Sequence, residues 1–260
     1  MTDMTWKTSI AKVELDDVVV RGHRLSELVG TITYSDMAHL LVRGMLPTEG
    51  ERAVLDAVLV TLADHGISPT TIVARTLTSC GTPIQASMAG AMLSIADWHG
   101  GSGEEMARLL HGLANEVPPG TSETTTASGC AALVERERAA GRALPGFGHP
   151  QHSEGDPRAR SLFAVARQHG TYARSCELVV ALGHALAEAS GRESLRQPNI
   201  TGALAAVMLD LGFPWTSIRG IVISARSLGL TAHVVEELEQ GNKWRHAPSE
   251  QVEYTGTLPS

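Results

Sequence analysis

"LPGFGHPQHSEGDPRAR", residues 144–160, places Gly146 and Gly148 directly before His149, brackets them with Pro145 and Pro150, and ends on Asp156-Pro157-Arg158. Glycine admits positive φ and lets another group approach the main chain closely. Proline fixes φ and stiffens what it flanks. A stiff loop with accessible backbone groups suits a flat or extended ligand, and His149 on such a support has the rigidity a catalytic side chain requires. Asp156 stands where it can cap a helix opening at Pro157, which puts Arg158 in the first turn. A GxG pair alone is weak; PGFGHP followed by DPR is far more specific.

Outward from this loop the pattern is helical. "SDMAHLLVRGMLP" opens at a cap-like Ser35 or Asp36 and stops at Gly44 and Pro47. Thr48 and Glu51 have capping-box spacing before the apolar positions Val54, Leu55, Val58, Leu59 and Leu62. Further helices are expected near 69–80, 82–98, 103–115, 122–141, 156–169, 172–190, 199–212 and 214–240. Those at 82–98 and 172–190 are nearly all apolar or small and should be central. Residues 7–20 are β-branched, with Asp16-Asp17 as a turn, and predict a small hairpin. No fixed period recurs, so a repeat protein is excluded. The tail from 241 is polar, carries Pro248 and Pro259, and reads as a segment wrapping a surface or a neighbouring subunit.

Composition narrows the function classes. Of 260 residues, 43% are hydrophobic and only 4% aromatic, a globular makeup that favours close-packed helices over a β-sandwich. The net charge of -7, with no long Lys/Arg run, argues against nucleic-acid binding. An anionic ligand therefore requires a local arginine cluster or helix N-termini. Cys80, Cys130 and Cys176 are odd in number and lack CxxC spacing, which points to reduced thiols and to neither a metal site nor a disulfide framework. "MTDMTWKTSI" has no apolar signal region, and no membrane span is expected, so the reading is cytoplasmic.

Four stretches put polar groups at helix ends or in apolar helices: "ADHGISP" with His65, "SIADWHGGSGEE" with His99, the opening loop with His149 and Arg158, and "GIVISARSLGLTAHVVEE" with Arg226. Each has a plainer explanation. A histidine before a helix-ending glycine can cap the last carbonyls. A guanidinium in an apolar helix needs an anion, and Glu236 or Glu237 could supply it within the fold. His184 reads as a satisfied core histidine, and His111, His152, His233 and His246 as structural or solvated groups.

At these residues the chain resembles the citrate synthase superfamily, and most closely its short members of the citryl-CoA lyase type. The matching stretches are "VRGHRLSELVG", "LLVRGMLP", "DHGISP", "DWHGGSGE", "PGFGHP…DPRA", "QPN…GALAAVMLDLG", "ARSLGLTAHVVEE" and "VEYTG", in the family's order across nearly the whole chain. The resemblance implies an all-α architecture with a small N-terminal hairpin. A large helical domain would take 1–101 and 206–260, and a smaller one 102–205, with a cleft between them. It implies homodimers or dimers of dimers. It also implies an enzyme that makes or breaks a carbon–carbon bond between a coenzyme A thioester and an oxoacid, with no metal in the chemistry. By the same resemblance His99 stabilises the enol of the thioester, and His149 polarises the oxoacid carbonyl or takes the hydroxyl proton on cleavage. His65, Arg158 and Arg226 would bind the oxoacid, the arginines through bidentate carboxylate contacts. Arg245 would match an arginine reaching a neighbouring subunit's site, and Pro145, Gly146, Phe147 and Gly148 a segment contacting coenzyme A.

The family's catalytic aspartate lies at a helix start in an "NVDG"-like motif. This chain reads "PNITG", with Thr201 at that position. A threonine hydroxyl is no general base near neutral pH without activation, and losing a positioned base costs about 10²–10⁴ in rate. Three readings follow: a working lyase or synthase with an altered proton route, a catalytically impaired relative that binds coenzyme A thioesters or a polycarboxylate, or a repurposed site with different chemistry.

Overall fold

The computed structural model describes residues 5–148 and 155–259, and among these it contains eleven α-helices and one three-stranded sheet. Strands β1 (Ala11–Val13), β2 (Val18–Val20) and β3 (His23–Arg24) run antiparallel in that order, with Ala11 opposite Val20 and Val19 opposite Arg24. The expected hairpin thus gains a third short strand. Its turn forces Arg21 to a φ of 48°, and the Arg21 guanidinium donates to the Leu41 carbonyl at 2.8 and 3.2 Å.

Helix α1 (Leu25–Leu28) precedes α2 (Tyr34–Arg43), whose cap is Thr33 and not Ser35 or Asp36. Asp36 is the third helical residue and accepts from the Thr33 amide at 2.8 Å, so the capping box begins two residues before the expected cap. Helix α3 (Glu49–Ala63) starts as its spacing predicts, with the Thr48 amide donating to Glu51 at 2.7 Å.

By packing density the chain divides into Met1–Thr61 with Gly101–Ile221, and Leu62–Gly100 with Val222–Ser260. The first unit is built around α10 (Ile200–Asp210), whose residues Gly202 to Met208 are all buried. Around it lie α6 (Ser102–Glu116), α8 (Pro157–Gln168) and α9 (Arg174–Ser190), and α7 (Glu123–Ala139) packs on α9. Helix α9 buries Cys176, Leu178, Val179, Leu182 and Ala187, as its apolar sequence predicts. His184 lies on its opposite face and is exposed, so it is not a core histidine. Its first amides are capped from another helix: Asp210 accepts from Ala173 and Ser175 at 2.8 Å and from Cys176 at 3.1 Å.

The second unit contains α4 (Pro69–Ser79), α5 (Ile84–Met92) and most of α11 (Ile218–Gln240). Its core is Ala74, Ala91, Leu230 and Val234, with Val73, Met88 and Met92 against it. Helix α5 is shorter than the expected 82–98 and buries only Ser87 and Ala91. Its small residues allow close packing on α4 with one face, which leaves the other exposed. The run Trp215–Gln240 reaches a mean hydropathy of 1.2 over 18 residues, enough by length and composition to cross a membrane. The sequence expectation of no such stretch is corrected here; α11 passes because it supplies buried residues such as Ile221, Leu230 and Val234.

Asp156 fastens two helix starts in the first unit. It is 2% exposed and accepts from the Arg158 amide at 3.0 Å and from the Ile200 amide, at the start of α10, at 2.9 Å. The Arg158 guanidinium adds contacts of 3.0 and 2.8 Å. Burial alone would raise the carboxyl's pKa; these donors outweigh it and hold the group at about 2. The folded value lies below the ordinary 3.8, so the stabilisation is complete above the unfolded value and is lost as pH falls through the folded one. Asp156→Asn should cost about 2 kcal/mol near neutral pH, and the gap to wild type should close between pH ~4 and ~2 in urea titrations. A gap that does not change with pH would refute the assignment.

Candidate functional site

In the second unit, His99 ends a tight turn in which Ala96 and His99 exchange both backbone hydrogen bonds at 2.9 Å. Its Nε2 lies 3.5 Å from Thr70 Oγ1, in the first turn of α4, and Thr70 is fully buried. Ser68 Oγ is 3.0 Å from the same hydroxyl. Burial lowers the His99 pKa first, and the positive charges of Arg226 and His65 lower it further. These effects favour the neutral ring, whose remaining N–H can donate to a developing enolate oxygen.

His65 sits in the turn after α3. Asp64 pins that turn by accepting from the Gly66 amide at 2.8 Å and from His233 Nε2 at 3.0 Å. Arg226, on α11, donates Nε to the Leu62 carbonyl at 2.9 Å. The residues expected as possible anions for Arg226 are engaged elsewhere. Glu236 pairs with Arg75, and Glu237 pairs with both Arg75 and Arg245. Three sequence-predicted residues, His65, His99 and Arg226, thus form one electrostatically coupled group. Arg245 joins Glu237 instead, at 2.5 and 2.9 Å. Thr70 was not anticipated: its only sequence signal is the cap-like "SPTT".

In the first unit, Gly146 and Gly148 both take positive φ, 85° and 70°. The close approach that the glycines permit is to α10: a Cβ on Gly146 would lie 2.8 Å from Gly202 Cα. Asn199 clamps the loop by donating its amide to the Gly146 carbonyl at 2.9 Å and its side chain to the Gly148 carbonyl at 2.7 Å. Phe147 pairs with Pro198 in an isolated bridge. Next to Phe147 and Gly148 opens a cavity of about 970 Å³ whose lining includes Arg138, Arg142, Arg192 and Leu195. His149 lies outside the described residues.

Thr201 is half-buried in the first turn of α10, where Asn199 Oδ1 accepts from its amide at 2.9 Å and from Gly202 at 3.3 Å. Its methyl group faces Gly103 of α6. The nearby carboxylates in this unit are committed: Glu104 pairs with Arg219 at 2.7 Å, Glu105 with Arg108 at 2.6 Å, and Asp156 with Arg158. In a proton-detected titration, His99 should titrate below the ordinary imidazole value, and Arg226→Met should move it upward by removing a neighbouring cation. An unchanged titration in the variant would show that Arg226 does not act on the ring.

A family profile described as "Citrate synthase, C-terminal domain" matches residues 48–247. The chain is 26% identical to the citrate synthase of Heyndrickxia coagulans over 86% of its own length and 57% of the relative's. It is 29% identical to the citrate/2-methylcitrate synthase of Bacillus subtilis, over 80% of this chain and 53% of that one. It therefore spans little more than half the length of these relatives. The solved structure of citryl-CoA lyase from Hydrogenobacter thermophilus is 30% identical, with a TM-score of 0.88, and the match covers 99% of this chain and 97% of that one. The ATP citrate lyase of Methanothrix soehngenii, solved with citrate and coenzyme A, shares the fold at 20% identity and a TM-score of 0.81, over 100% of this chain and 43% of that one. The helical fold, its small N-terminal sheet and a family match over most of the chain lead to one statement: this protein belongs to the citrate synthase family.

Proposed function

We propose that the protein cleaves a carbon–carbon bond in a 3-hydroxyacyl-coenzyme A of the citryl-CoA type, releasing an oxoacid and a shorter coenzyme A thioester. The observation that carries this reading is His99, whose Nε2 lies 3.5 Å from buried Thr70 and whose pKa is lowered by burial and by the charges of Arg226 and His65. In the cleaving direction the carbinol hydroxyl loses its proton and becomes the oxoacid carbonyl. The bond to the thioester α-carbon breaks, and its electron pair passes into the enolate. His99 donates a hydrogen bond to that oxygen, while His65, Arg158 and Arg226 hold the oxoacid carboxylates. His149 is assigned the hydroxyl proton. In the cavity beside the glycine loop Glu137 pairs with Arg142, and Arg138 and Arg192 offer cations to the coenzyme A phosphates.

Cleavage also relaxes the demand at Thr201. Synthesis needs a base to remove an α-proton, whereas cleavage leaves an enolate that needs only a proton, and water can supply it. The family's dimer, the contribution of Arg245 to a neighbouring site, and the division of 1–101 and 206–260 from 102–205 belong to the same proposal. A second reading rests on one observation: among the described residues Glu104, Glu105 and Asp156 are each ion-paired, so the chain could bind the thioester without turning it over.

The deciding experiment incubates the protein in D₂O with citryl-CoA, or with acetyl-CoA and oxaloacetate, and follows products by mass spectrometry. Wild type should cleave citryl-CoA, and His99→Ala should lower that rate by about 10²–10³. Thr201→Asp should raise α-proton exchange into acetyl-CoA by about 10²–10⁴. If only Thr201→Asp reacts, the binding reading replaces the lyase reading.

A further inference from the structure

We propose that His233 is a positioning residue for oxoacid binding, joining the turn that carries His65 to the segment that carries Arg245. This rests on the reading above, in which His65 holds the oxoacid and Arg245 contributes to a neighbouring subunit's site.

His233 lies on α11 with its side chain 14% exposed. Arg75 Nη1 approaches its Nδ1 at 3.4 Å, and a guanidinium can only donate, so Nδ1 carries the lone pair. The proton therefore sits on Nε2, which donates to Asp64 Oδ1 at 3.0 Å. The other oxygen of Asp64 accepts the Gly66 amide at 2.8 Å, fixing the turn around His65. In the other direction, Arg75 Nε meets Glu237 at 2.7 Å, and Glu237 takes Arg245 through two contacts. Arg75 Nη2 also donates to Gln240 at 2.7 Å. The Arg245 segment is fastened independently at its backbone, where the amides of Trp244 and Arg245 donate to the carbonyl and hydroxyl of Ser79, each at 2.9 Å.

The middle of this chain is dry: Arg75 is 8% exposed and Glu237 1%. Hydrogen bonds among charged groups in such surroundings are strong when complete and costly when one member is removed. His233 engages Asp64 on one side and Arg75 on the other, and Arg75 Nη1 also donates to Glu236. Its two ring nitrogens, one donor and one acceptor, match the needs of a carboxylate and a guanidinium.

The test uses the full chain and two readouts. Hydrogen exchange is measured at Gly66 and at Trp244–Arg245, and affinities are measured for oxaloacetate and for coenzyme A. His233→Ala should accelerate exchange at both places, leave α10 unchanged, and weaken oxaloacetate binding about tenfold with coenzyme A affinity intact. His233→Gln retains a donor for Asp64 and should restore protection at Gly66 with part of the oxaloacetate affinity. Acceleration at one end only would overturn the coupling. Parallel losses of both ligands would overturn the positioning role in favour of a general loss of structure. If wild type binds no oxaloacetate, the functional reading fails and the positioning role with it, while the exchange data still decide whether the two segments are coupled.

Discussion

One carboxylate organises the start of the buried helix on which the first unit is built. Asp156 caps α8, accepts the first amide of α10 and fixes the Arg158 guanidinium with the same two oxygens. A group that is 2% exposed cannot ionise at low cost unless donors surround it, and here they hold its pKa at about 2. Arg158 therefore arrives with its geometry set before any ligand does. The Gly146–Gly202 contact then brings the glycine loop onto the same helix start, so one corner supports a cationic side chain, a rigid loop and Thr201 together.

A chain with net charge -7 can still build a cationic site if its acids are spent elsewhere. Glu104, Glu105, Glu137, Glu236 and Glu237 each pair with an arginine in the fold. In the second unit burial lowers the His99 pKa first, and the positive charges of Arg226 and His65 lower it further.

Helix positions were legible because caps and stops are local. Thr48 and Glu51 stand three residues apart, and their bonds follow from that spacing. Thr33 was misread because Ser35 and Asp36 carry equally good capping chemistry and only the backbone decides which residue caps. The Asp210 cap on α9 joins residues 34 to 37 positions apart, and no local pattern reports such a bond. The same distinction governs the site. His65, His99 and Arg226 were marked by their neighbours in sequence, and the fold gathers them. Thr70 and the partners of Glu236 and Glu237 arise from helix packing, which residue type alone does not disclose.

Thr201 stands on a support that other residues hold. Asn199 already satisfies the amides of residues 201 and 202, and Asp156 takes that of Ile200, so the helix start does not depend on what stands at 201. The first turn of a helix favours negative charge, and a carboxylate there would be ionised at neutral pH and ready to act as a base. The methyl group of half-buried Thr201 lies 3.9 Å from where a Cβ on Gly103 would stand. The scaffold for the base is therefore complete without the base. Under the cleavage proposed above no α-proton has to be removed, and a helix start that carries no base at 201 meets what that direction requires.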